Sequence, residues 1–146
     1  MNTYIILLWG LRLAGLGQLF IVVMYQWMRR IVDWDRDLEK LRPHNRAIAH
    51  TYSRYIQALN GAFGLICLFQ SRALLAGTSL AADLTLLIGL YWGIRALLGV
   101  FYYDTREVTA QRQLYRYGEY AFNTLFAYQA AALLAAFFHN IGLLTD

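Results

Sequence analysis

Several ionisable side chains sit in apolar stretches where charge is costly, His50, Arg54, Arg95 and Glu119 among them. Ionisable groups inside a membrane span mark functional or partner-bound sites by default. His50, Arg54, Gln57 and Gly61 follow one another at steps of four, three and four, which places them on one helix face. Tyr91, Arg95, Gly99 and Tyr102 share a face in the same way. Glu119 and Asn123 stand four apart, with Tyr117 and Tyr120 beside them. Two cations against one carboxylate leave positive charge to be met. A phosphate, carboxylate or thiolate would meet it, and the rigid donor fork of arginine suits all three. If the chain is catalytic, Arg95 would stabilise developing negative charge. The alternatives need no ligand. Arg54 or Arg95 could pair with Glu119, carbonyls or tyrosine hydroxyls, or snorkel to lipid headgroups.

The chain that must position these groups has 146 residues, enough for one domain. It is 59% hydrophobic and 15% charged, with mean hydropathy +0.38. Soluble domains are about 45–50% apolar and about 25% charged, so the composition points to a membrane and excludes disorder. Four runs reach the roughly 20 apolar residues a spanning helix needs: about 3–28, 47–70, 80–103 and 118–144. The first run is too long for a signal-peptide core and is read as a retained helix. The expected fold is an all-α bundle of four transmembrane helices.

Of 13 Lys and Arg, nine fall in the loops 29–46 and 104–117, and the link between the second and third runs holds only Arg72. The positive-inside rule puts the two rich loops in the cytoplasm and both termini outside, as expected for a plasma (inner) membrane protein. Arg54 and Arg95 then both lie roughly 12 Å from the cytoplasmic end, from the helical rise per residue. The net charge of +4 belongs to a membrane edge and implies no nucleic-acid partner. Ile31, Trp34, Leu38 and Leu41 share one face, so the first helix is expected to continue along the membrane surface. Arg29 would pair with Asp33 across one turn, and Pro43 would break the helix.

The remaining features are more often structural. Arg12 lies in line with Gly15, Leu19 and Gln26, at a depth that would let it pair with Asp83. His50 and His139 are at opposite ends of their spans and cannot share a haem iron. A His44–His50 metal site lacks a carboxylate or Cys at ligand spacing, so no metal is expected. The single Cys67 excludes a disulfide framework and reads as a small core hydrophobe. Gly89 and Gly93 form a GxxxG step, and Ala127, Ala131 and Ala135 line one face. Both patterns allow close helix approach, within the chain or between copies.

The segment Gly93–Tyr103, GIRALLGVFYY, resembles the end of the third span in the membrane-associated eicosanoid and glutathione metabolism family, the microsomal glutathione transferase type. Arg95 and Tyr102 stand seven apart, as in that family, and Arg112 follows in the next loop. The resemblance implies four spans, outward termini, a trimer, and glutathione held at the cytoplasmic side. Arg95 would be the anion clamp and Tyr102 a polar contact to the bound thiol peptide. The family's second-span signature, Arg-x-His-x-Asn-x-x-Glu, is not present. Arg42 and His44 fit its first and third places, Asn45 comes one place early, and Ala49 stands where the Glu belongs.

The leading expectation is a cytoplasm-facing pocket for an anionic amphiphile, a lipid or thiol conjugate, bound by His50, Arg54, Arg95, Tyr102 and Glu119. Membrane lipids, further copies of the chain and other membrane proteins are the expected partners, and glutathione is the one cofactor implied. The alternative is a non-catalytic structural or assembly subunit carried by the glycine and alanine faces. A transporter or channel is weaker, since no inverted repeat or broken helix is visible.

Overall fold

The computed structural model describes residues 2–103 and 113–144, and its described residues are helical with no strand. The elements are α1 (Thr3–Ile31), α2 (Trp34–Glu39), α3 (Pro43–Phe69), a 3-10 turn (Ala73–Leu75), α4 (Ser79–Phe101) and α5 (Gln113–Asn140). Local chemistry sets several of these ends. The Asn2 side chain accepts from the Tyr4 N–H at 3.0 Å, and Thr78 accepts from the Ala81 N–H at 3.2 Å. Arg29 and Arg30 in the last turn of α1 complement the negative end of its dipole.

Three helices are long and apolar enough to cross a membrane: α1, α4 and the Tyr115–Asn140 stretch of α5. The second expected span, α3, is 27 residues long, yet His44, Asn45, Arg46, His50 and Arg54 in its first half and Gln57 just beyond keep it out of that set. The outward surface fits a lipid setting. Trp9, Phe20, Val23, Leu87, Leu97 and Phe101 are all exposed large apolar side chains on α1 and α4. Soluble chains rarely show such continuous apolar faces.

The bundle is built on two helix pairs, α1 with α3 and α4 with α5, joined through α1 and α5. The first pair closes at a glycine crossing. A Cβ on Gly15 would come within 2.8 Å of the Gly64 carbonyl oxygen. The second pair closes where Gly89 lies against Leu134 and Gly93 against Ala130. The GxxxG step therefore serves packing inside the chain. On α5, Ala130, Leu133 and Ala136 are buried, whereas Ala127 and Ala131 are exposed. Trp92 anchors the centre. It stacks on Phe126 at 5.4 Å and meets Tyr91 edge-on at 5.2 Å. Tyr91 donates to the Asn60 side-chain oxygen at 2.7 Å, tying α4 to α3. At one end Asn140 holds the α3–α4 connection, donating to the Leu74 carbonyl at 2.8 Å and accepting from the Gly77 N–H at 3.0 Å. Gly77 has φ 68°, which favours glycine.

Several expectations change. The first helix does not run on through the loop, because Asp33 adopts a left-handed φ of 48° and α2 starts afresh after it. Of the expected apolar face only Leu38 is buried, and Trp34 and Leu41 are exposed. Arg29 pairs with Asp35 and not Asp33, since the turn at Asp33 carries the next carboxylate toward it. Pro43 begins α3 as its first residue, where its missing N–H costs nothing. Arg46 then reaches back to the carbonyls of Leu38 (3.1 Å) and Glu39 (2.7 Å), closing the end of α2. Arg12 donates to the Ser71 hydroxyl at 3.3 Å and lies 5.2 Å from the Trp9 ring centroid, so its partner is Ser71 and not Asp83. Asp83 is exposed. Asp83→Ala is therefore expected to shift unfolding stability by no more than about 0.5 kcal/mol. Coupling between Asp83→Ala and Arg12→Ala in a double-mutant cycle would reinstate the ion pair.

Candidate functional site

The described surface opens into a cavity where the end of α4 faces the first turns of α5. It has a volume of about 630 Å³, and Gly99, Tyr102, Tyr103, Glu119, Asn123 and Thr124 are among its lining residues. That size suits a small ligand. Helix register explains the assembly. Gly99 and Tyr102 lie within one turn at the end of α4. Glu119 and Asn123 follow at a step of four on α5, and Tyr120 sits beside them. Gly99 lets the Asn123 side chain lie against α4, and a Cβ there would push the Asn123 amide aside. The lining joins aromatic walls from Phe101, Tyr102, Tyr103 and Tyr120 to the polar groups of Glu119, Asn123 and Thr124.

Arg95 stands one turn before Gly99 on α4, beside this cavity and not in its lining. Its guanidinium carbon is 4.9 Å from the Tyr103 ring centroid and 4.8 Å from that of Phe126. Two ring faces hold the cation, an arrangement that stabilises it without an anion. Tyr103 also lines the cavity, so one ring is shared by the cation and the cavity wall.

The five sequence-derived residues are thus distributed. Tyr102 and Glu119 line one cavity, and Arg95 flanks it. Tyr102 is 75% exposed, open to an approaching molecule. His50 and Arg54 lie on α3 and are not in the lining. Arg54 is exposed, His50 is half-buried, and neither side chain has a hydrogen bond, ion pair or ring contact among the described residues. The two ion pairs among the described residues, Arg29–Asp35 and Lys40–Asp37, lie at the last turn of α1 and in α2 with the residue after it, away from this cavity.

Sequence reasoning passes over Phe126 and Thr124, and treats Tyr103 only as an interfacial aromatic. Phe126 is signalled by its position seven residues after Glu119, two turns along the same helix face. No three His, Cys, Asp or Glu side chains among the described residues are grouped so as to hold a metal ion. The arrangement provides aromatic surface, hydrogen-bonding groups and a nearby fixed cation, which together can bind a molecule with a polar head and an apolar body. The chain matches no family model, no curated protein and no solved structure.

Proposed function

We propose that the protein is an integral membrane protein whose α4–α5 cavity binds an anionic amphiphile, a lipid or a thiol conjugate. In this reading all four long helices span the bilayer, α3 with its polar half toward the cytoplasmic edge. Both termini face outward and the two arginine-rich loops face the cytoplasm of a plasma (inner) membrane. The observation that carries the reading is the position of Arg95, a cation packed on Phe126 and on Tyr103, a wall residue of an open, aromatic-lined cavity. The apolar body of the ligand would lie along Val100 and Phe101, and its head would meet Tyr102, Asn123 and Thr124. Arg95 would supply the field that selects an anionic head. In a thiol-transfer reaction the same charge would stabilise a thiolate. His50 and Arg54, on a separate helix, would meet headgroups at the same membrane level.

At an effective dielectric of about 20, two unit charges roughly 10 Å apart interact by about 1.7 kcal/mol, and about 1.4 kcal/mol is a tenfold change in affinity. Arg95→Ala is therefore expected to weaken retention of phosphatidylglycerol by about tenfold or more, with phosphatidylcholine retention unchanged. Delipidated protein titrated with each lipid and read by bound mass tests this. Equal loss for both lipids, or for neither, would remove Arg95 from the reading. Incubation with glutathione in the same assay separates the thiol conjugate from the lipid.

The assembly-subunit reading draws on one observation, the polar face of α3 where Arg54 is exposed beside the half-buried His50. It predicts that Arg54→Ala releases another membrane protein from the purified material and leaves lipid retention intact.

A further inference from the structure

The α4–α5 cavity has a polar end and an apolar end. On α5 its lining runs through Glu119, Tyr120, Asn123 and Thr124 and finishes at Ala127. Glu119 to Ala127 is eight residues, roughly 12 Å along the helix axis. The polar side chains occupy the start of that length, and Ala127 is the member farthest into the helix. On α4 the lining runs the opposite way, from Tyr103 and Tyr102 at the helix end back to Val100 and Gly99. Gly89 against Leu134, Gly93 against Ala130 and Gly99 against Asn123 fix the antiparallel register of the two helices. The polar ends of the two linings therefore coincide.

The cavity also opens sideways. Val100 is 63% and Phe101 83% exposed on α4, and Thr124 and Ala127 are exposed on α5. Both helices are long and apolar enough to cross a membrane. The open flank of a spanning helix faces acyl chains and not water. A ligand that is polar along its whole length, as glutathione is, would set polar groups against Val100, Phe101 and Ala127, whose side chains offer no hydrogen bond, and that costs free energy. An acyl chain meets the same surface without that cost. The α5 face continues one turn deeper at Ala131, which is small and exposed.

We propose that the ligand of this cavity is an anionic glycerophospholipid that enters from the bilayer. Its phosphate group lies at the end lined by Tyr102, Asn123 and Thr124, and an acyl chain runs along Val100, Phe101 and Ala127. The assignment rests on the anionic-amphiphile reading above and narrows it to a lipid, setting the thiol conjugate aside.

The test compares dioleoyl and dihexanoyl phosphatidylglycerol, which carry one headgroup on long and on short chains. Delipidated full-length protein is titrated with each and the bound mass is read, with dioleoyl phosphatidylcholine giving the background of lipid on the outer surface. Ala127→Trp fills the apolar end from an exposed position and leaves the core packing alone. It is expected to weaken retention of the dioleoyl lipid several-fold and leave the dihexanoyl lipid unchanged. Val100→Trp, on the other wall, carries the same expectation, so the comparison does not hang on one variant. Leu87→Trp, exposed on α4 outside the lining, should change neither. Equal loss of both lipids in Ala127→Trp and Val100→Trp, or loss of neither, would overturn the acyl-chain assignment. So would displacement of the dioleoyl lipid by glycerol phosphate or glutathione. In those cases the anionic reading still stands if the wild type prefers phosphatidylglycerol to phosphatidylcholine and Arg95→Ala does not. A wild type without that preference would overturn the reading and this assignment together.

Discussion

Gly15→Ala is expected to destabilise the bundle by on the order of 3 kcal/mol. The added methyl would lie 2.8 Å from the Gly64 carbonyl oxygen, 2.8 Å from the Leu68 nitrogen and 3.2 Å from the Cys67 carbonyl carbon. All three are backbone atoms, so no rotamer change relieves the overlap and α3 must move away from α1. The partner glycine is equally committed, since a Cβ on Gly64 would meet Leu19 Cγ at 3.0 Å and the Gly15 carbonyl oxygen at 3.1 Å. Between helices in lipid, close packing replaces the hydrophobic effect as the driving force. A separated crossing therefore forfeits most of what joins α1 to α3. Gly61→Ala is the control. Nothing lies within 4 Å of its Cβ position, and it sits inside α3. That change should stabilise by about 0.5–1 kcal/mol through helix propensity. Unfolding midpoints in a denaturing detergent titration give both numbers. Equal midpoints for the two variants would contradict the crossing.

Trp92→Ala comes next, with an expected loss of about 3 kcal/mol. The indole is 1% exposed, stacked on Phe126 and edge-on to Tyr91, so its removal opens a cavity between α4 and α5. Large-to-small core changes of this kind cost about 3–5 kcal/mol in water-soluble proteins. The lower figure applies here because helices separated in a membrane still lie in an apolar medium, so the transfer part of the cost is small and the lost packing remains. Trp27→Ala, at a side chain 65% exposed on α1, should change stability by about 0.5 kcal/mol or less. A Trp92→Ala protein that unfolds at the Trp27→Ala midpoint would show that this aromatic cluster does not hold the bundle.

Much of this architecture is legible in the sequence, because long apolar runs and helical spacing are strong signals. The third span is expected at about 80–103 and α4 occupies Ser79–Phe101; the fourth is expected at about 118–144 and α5 occupies Gln113–Asn140. Tyr102 and Glu119, singled out by spacing, fall on one cavity with Arg95 beside it. The features that escape are those decided by contacts between distant residues. Arg12 meets Ser71 because the connection after α3 folds over the end of α1, and no periodicity encodes that. The break at Asp33 rests on a left-handed backbone in a non-glycine residue, which has no sequence signature. His50 and Arg54 are correctly placed on one helix, but which neighbours that helix receives is a tertiary matter. α3 packs on α1, so those residues do not reach the α4–α5 cavity. Gln129 sits in an alanine-rich run that reads as uniform packing, and its burial appears only once α1 brings Gly17 against it.

The measurement that tests the central reading most directly is the intact mass of the native protein released from mild detergent, with lipid and thiol extraction of the same sample. The account predicts a defined anionic amphiphile bound to each wild-type chain and absent from Arg95→Ala. A wild-type protein that carries no such molecule, or that retains it equally in Arg95→Ala, would contradict the account.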